Sequence, residues 1–129
     1  MAKPKRFSNE TFILQLDKTI EKLINHKKME PELAPSDIKI QDIADAFAVN
    51  SATLRRWCQE HTALSPRQYL AIYRVERAKY LLDLGVRSLK ISQQLAFTEH
   101  KVFSTLFKRI EGVSPSDYLS FNIANDTQI

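Results

Sequence analysis

Two groups of mostly basic and polar side chains, about 49 positions apart, are the residues best suited to chemistry in this 129-residue chain. Arginine can bind guanine through two hydrogen bonds, and lysine, glutamine, serine and threonine can donate hydrogen bonds to bases or phosphates. Outward basic residues on a helix are usually solvated, so their meaning depends on what surrounds them. The groups are Ser51, Ala52, Thr53, Arg55, Arg56 and Gln59, then His100, Lys101, Ser104, Thr105 and Lys108.

Apolar residues at helical spacing lie between the members of both groups. They predict two helices, each with a buried face and with the polar group on its outer face. The aromatic residues in these stripes are expected in the core rather than as platforms for stacked bases. The inward residues are Leu54, Trp57 and Cys58 in the first helix and Val102, Phe103, Leu106 and Phe107 in the second.

A duplicated pattern follows each of these helices. Ser-Pro-x-x-Tyr-Leu occurs at 65–70 and again at 114–119, and pairs of similar residues continue upstream of both copies. Serine can cap the first free N–H groups of a helix, and proline suits its first position. Each copy therefore closes a unit of short helix, tight turn, longer helix and capped helix. Two such units favour a duplicated helix-turn-helix over a solenoid, which generally needs three or more repeats.

The fold class predicted for the chain is all-α: two helix-turn-helix subdomains joined by a long linker helix, about seven helices in total. Gly85 is placed to end the linker helix, and Ser88 to cap the next one. The predicted helices cover 10–26, 41–47, 51–61, 66–84, 88–95, 99–110 and 115–122, with an irregular connection at 27–37. The division is a flexible basic N-terminus (1–9), a first subdomain (10–64), the linker (65–85), a second subdomain (86–122) and a C-terminal tail (123–129).

Composition is consistent with a protein that meets nucleic acid inside the cell. The formal net charge is +4, a mildly basic balance that permits DNA binding without demonstrating it. Cys58 is the only cysteine, so no intrachain disulfide can form and a reducing compartment is favoured. No apolar run approaches the length of a membrane span, and the N-terminus lacks the apolar core of a signal peptide. We therefore expect a cytoplasmic protein without membrane contact.

Taken with the doubled pattern, these residues resemble the AraC/XylS family of bacterial transcription regulators over nearly the whole chain, from Phe12 to Phe121. In length and layout the chain is similar to the stand-alone members that activate antibiotic-resistance and superoxide-response genes. The residues that carry the resemblance are Asp42-Ile43-Ala44, Leu54-Arg55-Arg56, Ser65-Pro66 to Leu70, Arg77-Ala78, Ala96-Phe97, Phe103, Phe107-Lys108, Gly112 and Ser114-Pro115-x-x-Tyr118.

The resemblance implies a sequence-specific activator that binds double-stranded DNA and touches RNA polymerase. Both recognition helices would enter successive major grooves, with Arg55 as the candidate for bidentate contact with guanine. Thr53, Gln59 and Lys108 are expected at the phosphate backbone. The base-facing positions carried over from the family are Ala52, Arg55, Arg56, His100, Lys101, Ser104 and Thr105.

Four residues depart from the family pattern. Ala48 and Ala96 stand in the two turns where glycine is usual, which would cost about 1 kcal/mol each if the turn requires a positive φ. Glu99 replaces a serine at the start of the second recognition helix, and Thr105 replaces an arginine further along it. We therefore expect the second unit to contribute fewer charged contacts than the first.

Two other classes of function compete with DNA binding. The chain could be an interaction protein on the same scaffold that binds RNA polymerase or another regulator, with weak or no specific DNA binding. An enzyme is not supported, because the sequence contains no phosphate loop and no base placed near Cys58. The three histidines lack metal-ligand spacing, and no cofactor or small-molecule ligand is evident from any motif.

Overall fold

A computed structural model describes residues 8–29 and 38–120, and every regular element in these two ranges is a helix. This confirms the all-α fold class. The helices are α1 (Asn9–Met29), α2 (Ile40–Ala46), α3 (Ser51–Thr62), α4 (Pro66–Asp83), α5 (Ser88–Gln94) and α6 (His100–Glu111), with a seventh helix over 115–120. The predictions of a flexible N-terminus, of most of the 27–37 connection and of the C-terminal tail fall outside the described residues.

The first hydrophobic cluster forms where α1 packs against α2 and α3. One stripe of α1 recurs every four residues, so its side chains share one face of the helix. That face is buried against Ile43, Leu54 and Cys58, and the cluster also receives the partly buried Trp57. The stripe consists of Phe12, Leu16, Ile20 and Ile24.

The linker helix α4 begins at a capping box. The Ser65 hydroxyl accepts a hydrogen bond from the N–H of Gln68, whose side chain in turn accepts one from the N–H of Ser65. Pro66 occupies the first helical position, as predicted. After the helix ends, Gly85 has a φ of +91°, a conformation open to glycine at little cost.

Residues of α4 belong to both hydrophobic clusters. Leu70 lies in the first cluster, whereas Val75 and Leu82 lie in the second with the apolar faces of α5 and α6. The Tyr69 hydroxyl also donates a hydrogen bond of 2.5 Å to Asp17 of α1. Because both cores enclose the same helix, α4 fixes the orientation of each unit relative to the other.

Polar contacts also attach the second unit to α4. Lys79 bonds to Glu111 at 3.1 Å, linking the linker helix to the end of α6. Arg74 is only 2% exposed, and its guanidinium lies 4.3 Å from the centre of the Phe97 ring. A cation over an aromatic face in a buried position is stabilising.

Both turns of the helix-turn-helix units adopt left-handed backbone. Ala48 has a φ of 59° and Ala96 a φ of 65°. The residue after each alanine donates its N–H back to the short helix, from Val49 to Ala44 and from Phe97 to Ser92, both at 3.0 Å. The turn therefore requires the positive φ for which glycine is usual, and alanine pays conformational strain at both sites.

Three details differ from the sequence predictions. Helix α1 continues to Met29 rather than ending near His26, because the residues after His26 are two lysines and a methionine, all good helix formers. Arg87, not Ser88, is the N-cap of α5, and Ser88 is its first helical residue. Val102, predicted to point inward, is 45% exposed, because it lies about 100° around α6 from the buried Phe103.

Candidate nucleic-acid interface

The outer face of α3 brings together four of the six predicted residues. Leu54 and Cys58 are fully buried and fix which side of the helix faces the core. Positions i, i+3, i+4 and i+7 then share the opposite side. This first outer row consists of Ala52, Arg55, Arg56 and Gln59, all exposed.

Helix α6 repeats this arrangement. Phe103 and Phe107 are fully buried, and their rings pack 5.9 Å apart in the second cluster. The side opposite them carries the same i, i+3, i+4, i+7 spacing, offset from the first row by 49 positions. This second outer row consists of Lys101, Ser104, Thr105 and Lys108, exposed except for the half-buried Ser104.

The remaining predicted residues lie at the edges of the two rows. Ser51 and Thr53 are half-buried, and the N–H of Thr53 donates to the side chain of the N-cap Asn50 at 2.8 Å. His100 is also half-buried, with its Nε2 atom hydrogen-bonded to the Ser88 hydroxyl at 2.8 Å. The Nε2 atom of His100 is therefore already engaged with Ser88 of α5.

The two rows differ in charge. The first contains two arginines at consecutive positions, Arg55 and Arg56, whereas the second has Lys101 and Lys108 at its two ends. Glu99 is the N-cap of α6, and within the described residues its side chain makes no capping hydrogen bond to that helix. Its carboxylate thus adds a negative charge at the N-terminus of α6, where α3 has the neutral Asn50.

Two exposed side chains beside the second row are not among the residues predicted to face outward: Val102 is predicted in the core, and Arg109 is not singled out by any pattern. Val102 and Arg109 lie on the flank of α6 that faces the linker helix, together with Arg67 of α4. An apolar residue and a single basic residue form no repeated pattern that would predict a place on the outer surface. One signal could have identified Val102 as an outward residue. It directly follows Lys101, and its equivalent in the first unit is Thr53, which is predicted to face outward.

Nucleophilic and metal chemistry have no support in the described residues. Burial raises the pKa of Cys58 to about 11, so the thiol is neutral and shielded rather than reactive. Within residues 8–29 and 38–120, no cluster of three or more His, Cys, Asp or Glu side chains could hold a metal ion. In the same ranges, no helix has both the length and the apolar character needed to cross a bilayer.

The fold defines a class: a tandem helix-turn-helix protein in which each unit exposes one row of mostly polar side chains, on α3 and on α6. The helix-turn-helix domain family matches residues 43–120. The chain belongs to this family, in its AraC type, which confirms the resemblance found in the sequence.

A curated relative agrees with the family match. The chain is 34% identical over 110 residues to the HTH-type transcriptional activator RhaS of Escherichia fergusonii, covering 81% of this chain and 38% of that protein. The chain thus spans well under half the length of this curated relative.

Two solved structures share the fold. The C-terminal domain of AraT, a response regulator from Geobacillus stearothermophilus, superposes with a TM-score of 0.64 at 23% identity, covering 82% of this chain and 84% of that one. A DNA-binding transcriptional dual regulator from Escherichia coli K-12 gives a TM-score of 0.63 at 16% identity, covering 95% and 99%.

Proposed function

We propose that this chain is a sequence-specific double-stranded DNA-binding transcription regulator, and that it inserts α3 and α6 into successive major grooves on one face of the duplex. The observation that carries the proposal is that α3 and α6 expose equivalent outer rows. The two helices belong to separate hydrophobic clusters, and both clusters include residues of α4. Each row is one helix face wide, as entry into a major groove requires. One chain would then cover an asymmetric site with half-sites about ten base pairs apart.

We assign the residues unequal roles. Arg55 makes bidentate contact with guanine, and its neighbour Arg56 contacts a base or a phosphate. Ala52 offers an apolar surface to a thymine methyl group, while Gln59 and Lys108 contact phosphates. Since the second row has two lysines and the nearby Glu99, the first unit dominates affinity and the second tolerates more sequence variation.

We further propose that the chain activates transcription by contacting RNA polymerase. The relative RhaS is named a transcriptional activator, and the Escherichia coli protein of similar fold a dual regulator. A compact tandem domain leaves the faces of its helices away from DNA free to meet the polymerase. Transcription in vitro from a promoter that holds the bound site, with and without the chain, measures the sign of regulation.

Selection of binding sites from random duplex DNA tests the DNA-binding proposal. The selected duplex is then compared with a scrambled duplex of equal length over a series of salt concentrations. We expect one enriched asymmetric sequence, bound at least about 1,000-fold more tightly than the scrambled duplex, with affinity falling steeply as salt rises. Equal binding of both duplexes would contradict the proposal and favour an interaction protein on the same scaffold.

A further inference from the structure

A cavity of about 460 Å³ lies between the linker helix α4 and the flank of α6 beside the second outer row. The volume is in the range of small-molecule sites, which are mostly apolar with a few polar groups. One wall comes from α4, another from α6, and the N-terminal end of α2 closes one side. Besides the small Ala71 of α4, its apolar lining consists of Ile38, Ile40, Leu70, Phe97, Val102 and Leu106.

The charged residues that line this cavity are all cationic. They are Arg67, Arg74, Lys101 and Arg109, and among the described residues no acidic side chain lines it. Arg74 is buried and held over the Phe97 ring, so it is a fixed part of the wall. Arg67 and Arg109 are exposed and stand at the rim, where they can turn toward a ligand.

A second groove on α4 provides an internal comparison. It measures about 420 Å³ and is lined by tyrosines, but it contains the carboxylates of Asp17 and Glu76 with Arg77. The two grooves are therefore similar in size and differ in charge. An anion is therefore expected to bind the cavity between α4 and α6 in preference to the second groove, whereas electrostatics give a neutral apolar molecule no preference.

We propose that the cavity between α4 and α6 binds a small amphipathic anion, with an apolar or aromatic body and a single carboxylate or sulfonate. The body lies against Leu70, Val102 and Leu106, and Arg67 and Arg109 bind the charged group at the rim. Arginine suits this role because its guanidinium can bind two oxygens of a carboxylate or of a tetrahedral oxyanion through paired hydrogen bonds. The lining explains why no short motif signals the site, since it combines residues that lie far apart in the sequence.

Occupation of this cavity would regulate DNA binding, a consequence that rests on the proposed function. Lys101 and Thr105 belong both to the cavity lining and to the second outer row. A bound anion neutralises part of the local positive charge and occupies space next to the groove-facing surface. Ligand and DNA therefore oppose each other, and by linkage each lowers the affinity of the other by the same factor.

A matched pair of fluorescent probes tests the ligand site without DNA. The anion 8-anilinonaphthalene-1-sulfonate and the neutral N-phenyl-1-naphthylamine share an aromatic body and differ in the sulfonate. We expect the folded chain to bind one equivalent of the anion and to bind the neutral probe at least about 5-fold more weakly, since hydrogen bonds to charged groups strengthen binding. Equal affinity for the two probes would overturn the proposal.

Three variants locate the bound probe. Arg109→Gln, an exposed position, should weaken the anion at least about 5-fold and leave the neutral probe unchanged. Ala71→Phe should fill the cavity and weaken the anion, whereas Ile72→Ala in the second groove should leave anion binding unchanged. Thermal unfolding and helicity show whether each variant is folded. Unchanged anion binding in Arg109→Gln, or loss in Ile72→Ala alone, would overturn the site.

Titration of the selected duplex with and without the anionic probe tests the regulation. We expect the probe to weaken DNA binding by wild type and to have no effect on Ala71→Phe. Unchanged DNA affinity at saturating probe would overturn the proposed opposition. If the chain lacks specific DNA binding but still binds the anion through Arg109, the ligand site stands and the proposed function fails.

Discussion

Ala63 and Gly112 occupy equivalent positions directly after α3 and α6, and both have left-handed backbone. Their φ angles are 62° and 91°, and each donates its N–H to the carbonyl four residues earlier, at 3.1 Å and 2.8 Å. The two copies of the unit thus end their recognition helices in the same conformation with different residues. An alanine there is strained, whereas a glycine is not.

The first prediction exchanges these two residues. Ala63→Gly should raise the free energy of unfolding by up to about 1 kcal/mol, and Gly112→Ala should lower it by about 1 kcal/mol. A Cβ atom added at Gly112 meets no atom within 4 Å, so the loss comes from the backbone alone. Urea titration followed by circular dichroism measures both values.

The control for this pair is Ala71→Gly, in the middle of α4. There the same chemical change should destabilise the fold, by about 1 kcal/mol, because glycine weakens a helix interior. If Ala63→Gly destabilises the protein as much as Ala71→Gly, then Ala63 is not strained in the native fold.

The second prediction concerns the N-cap of the second recognition helix. Glu99→Ser should add a capping hydrogen bond worth about 1 kcal/mol, which outweighs the smaller favourable interaction of the carboxylate with the helix dipole, and should remove a negative charge from the proposed DNA-facing end of α6. Both stability and affinity for the selected duplex should rise. Fluorescence anisotropy and urea titration measure the two effects separately.

Asn50→Ala provides the opposite change in the first unit, where the Asn50 side chain accepts a hydrogen bond from the Thr53 N–H. Its stability should fall by about 1 kcal/mol. Weaker DNA binding by the Glu99→Ser protein would refute the view that this carboxylate opposes the phosphates.

The third prediction is that Cys58 is inert in the folded protein. Its side chain is fully buried, and burial raises its pKa to about 11 from an ordinary value of 9.0. At pH 8 the thiolate is therefore about 100-fold scarcer than in the unfolded chain. Ellman's reagent should modify the native thiol at least that much more slowly than the thiol in guanidinium chloride. Similar rates in both states would show that the site is open.

The raised pKa of the Cys58 thiol also makes the free energy of unfolding decrease at high pH. The folded state favours the protonated thiol, so this contribution is fully present below pH 9 and is lost as the pH rises toward 11.

The fourth prediction separates base contacts from phosphate contacts. Arg55→Ala should cost about 1–3 kcal/mol on the selected duplex and relax the preference at one base pair, whereas Lys108→Ala should weaken all duplexes similarly. Lys22→Ala, an exposed position on α1, is the control for a lost positive charge and should change little. Anisotropy titrations over a panel of single-base variants of the site make the comparison. An equal loss of base preference in the Arg55 and Lys108 variants would remove the assignment.

Local signals explain the parts of the fold that the sequence predicted. The Ser65 cap, the Pro66 start and the Gly85 end each depend on a few neighbouring residues, and the structure confirms all three. The outer rows were also predictable, because the buried stripes of α3 and α6 are strongly periodic.

Several features of the structure depend on tertiary packing and could not be predicted from the local sequence. Alanine is compatible with a helix or a turn, so the positive φ of Ala48 and Ala96 became clear only from the path of the chain. Val102 is apolar and is predicted in the core, but the cavity beside α4 leaves it exposed. Ser88 has the chemistry of a cap, yet its hydroxyl bonds to His100, twelve residues away.

The most direct test of the central claim changes the spacing between the two half-sites of the selected duplex. Insertion of about five base pairs turns the second half-site to the opposite face of the DNA, where α6 cannot reach it while α3 is bound. Because both cores enclose α4, we predict that affinity falls to that of a duplex with the first half-site alone, with one chain bound in each case. Retained affinity after the insertion, or a palindromic site bound only by two chains, would contradict the account.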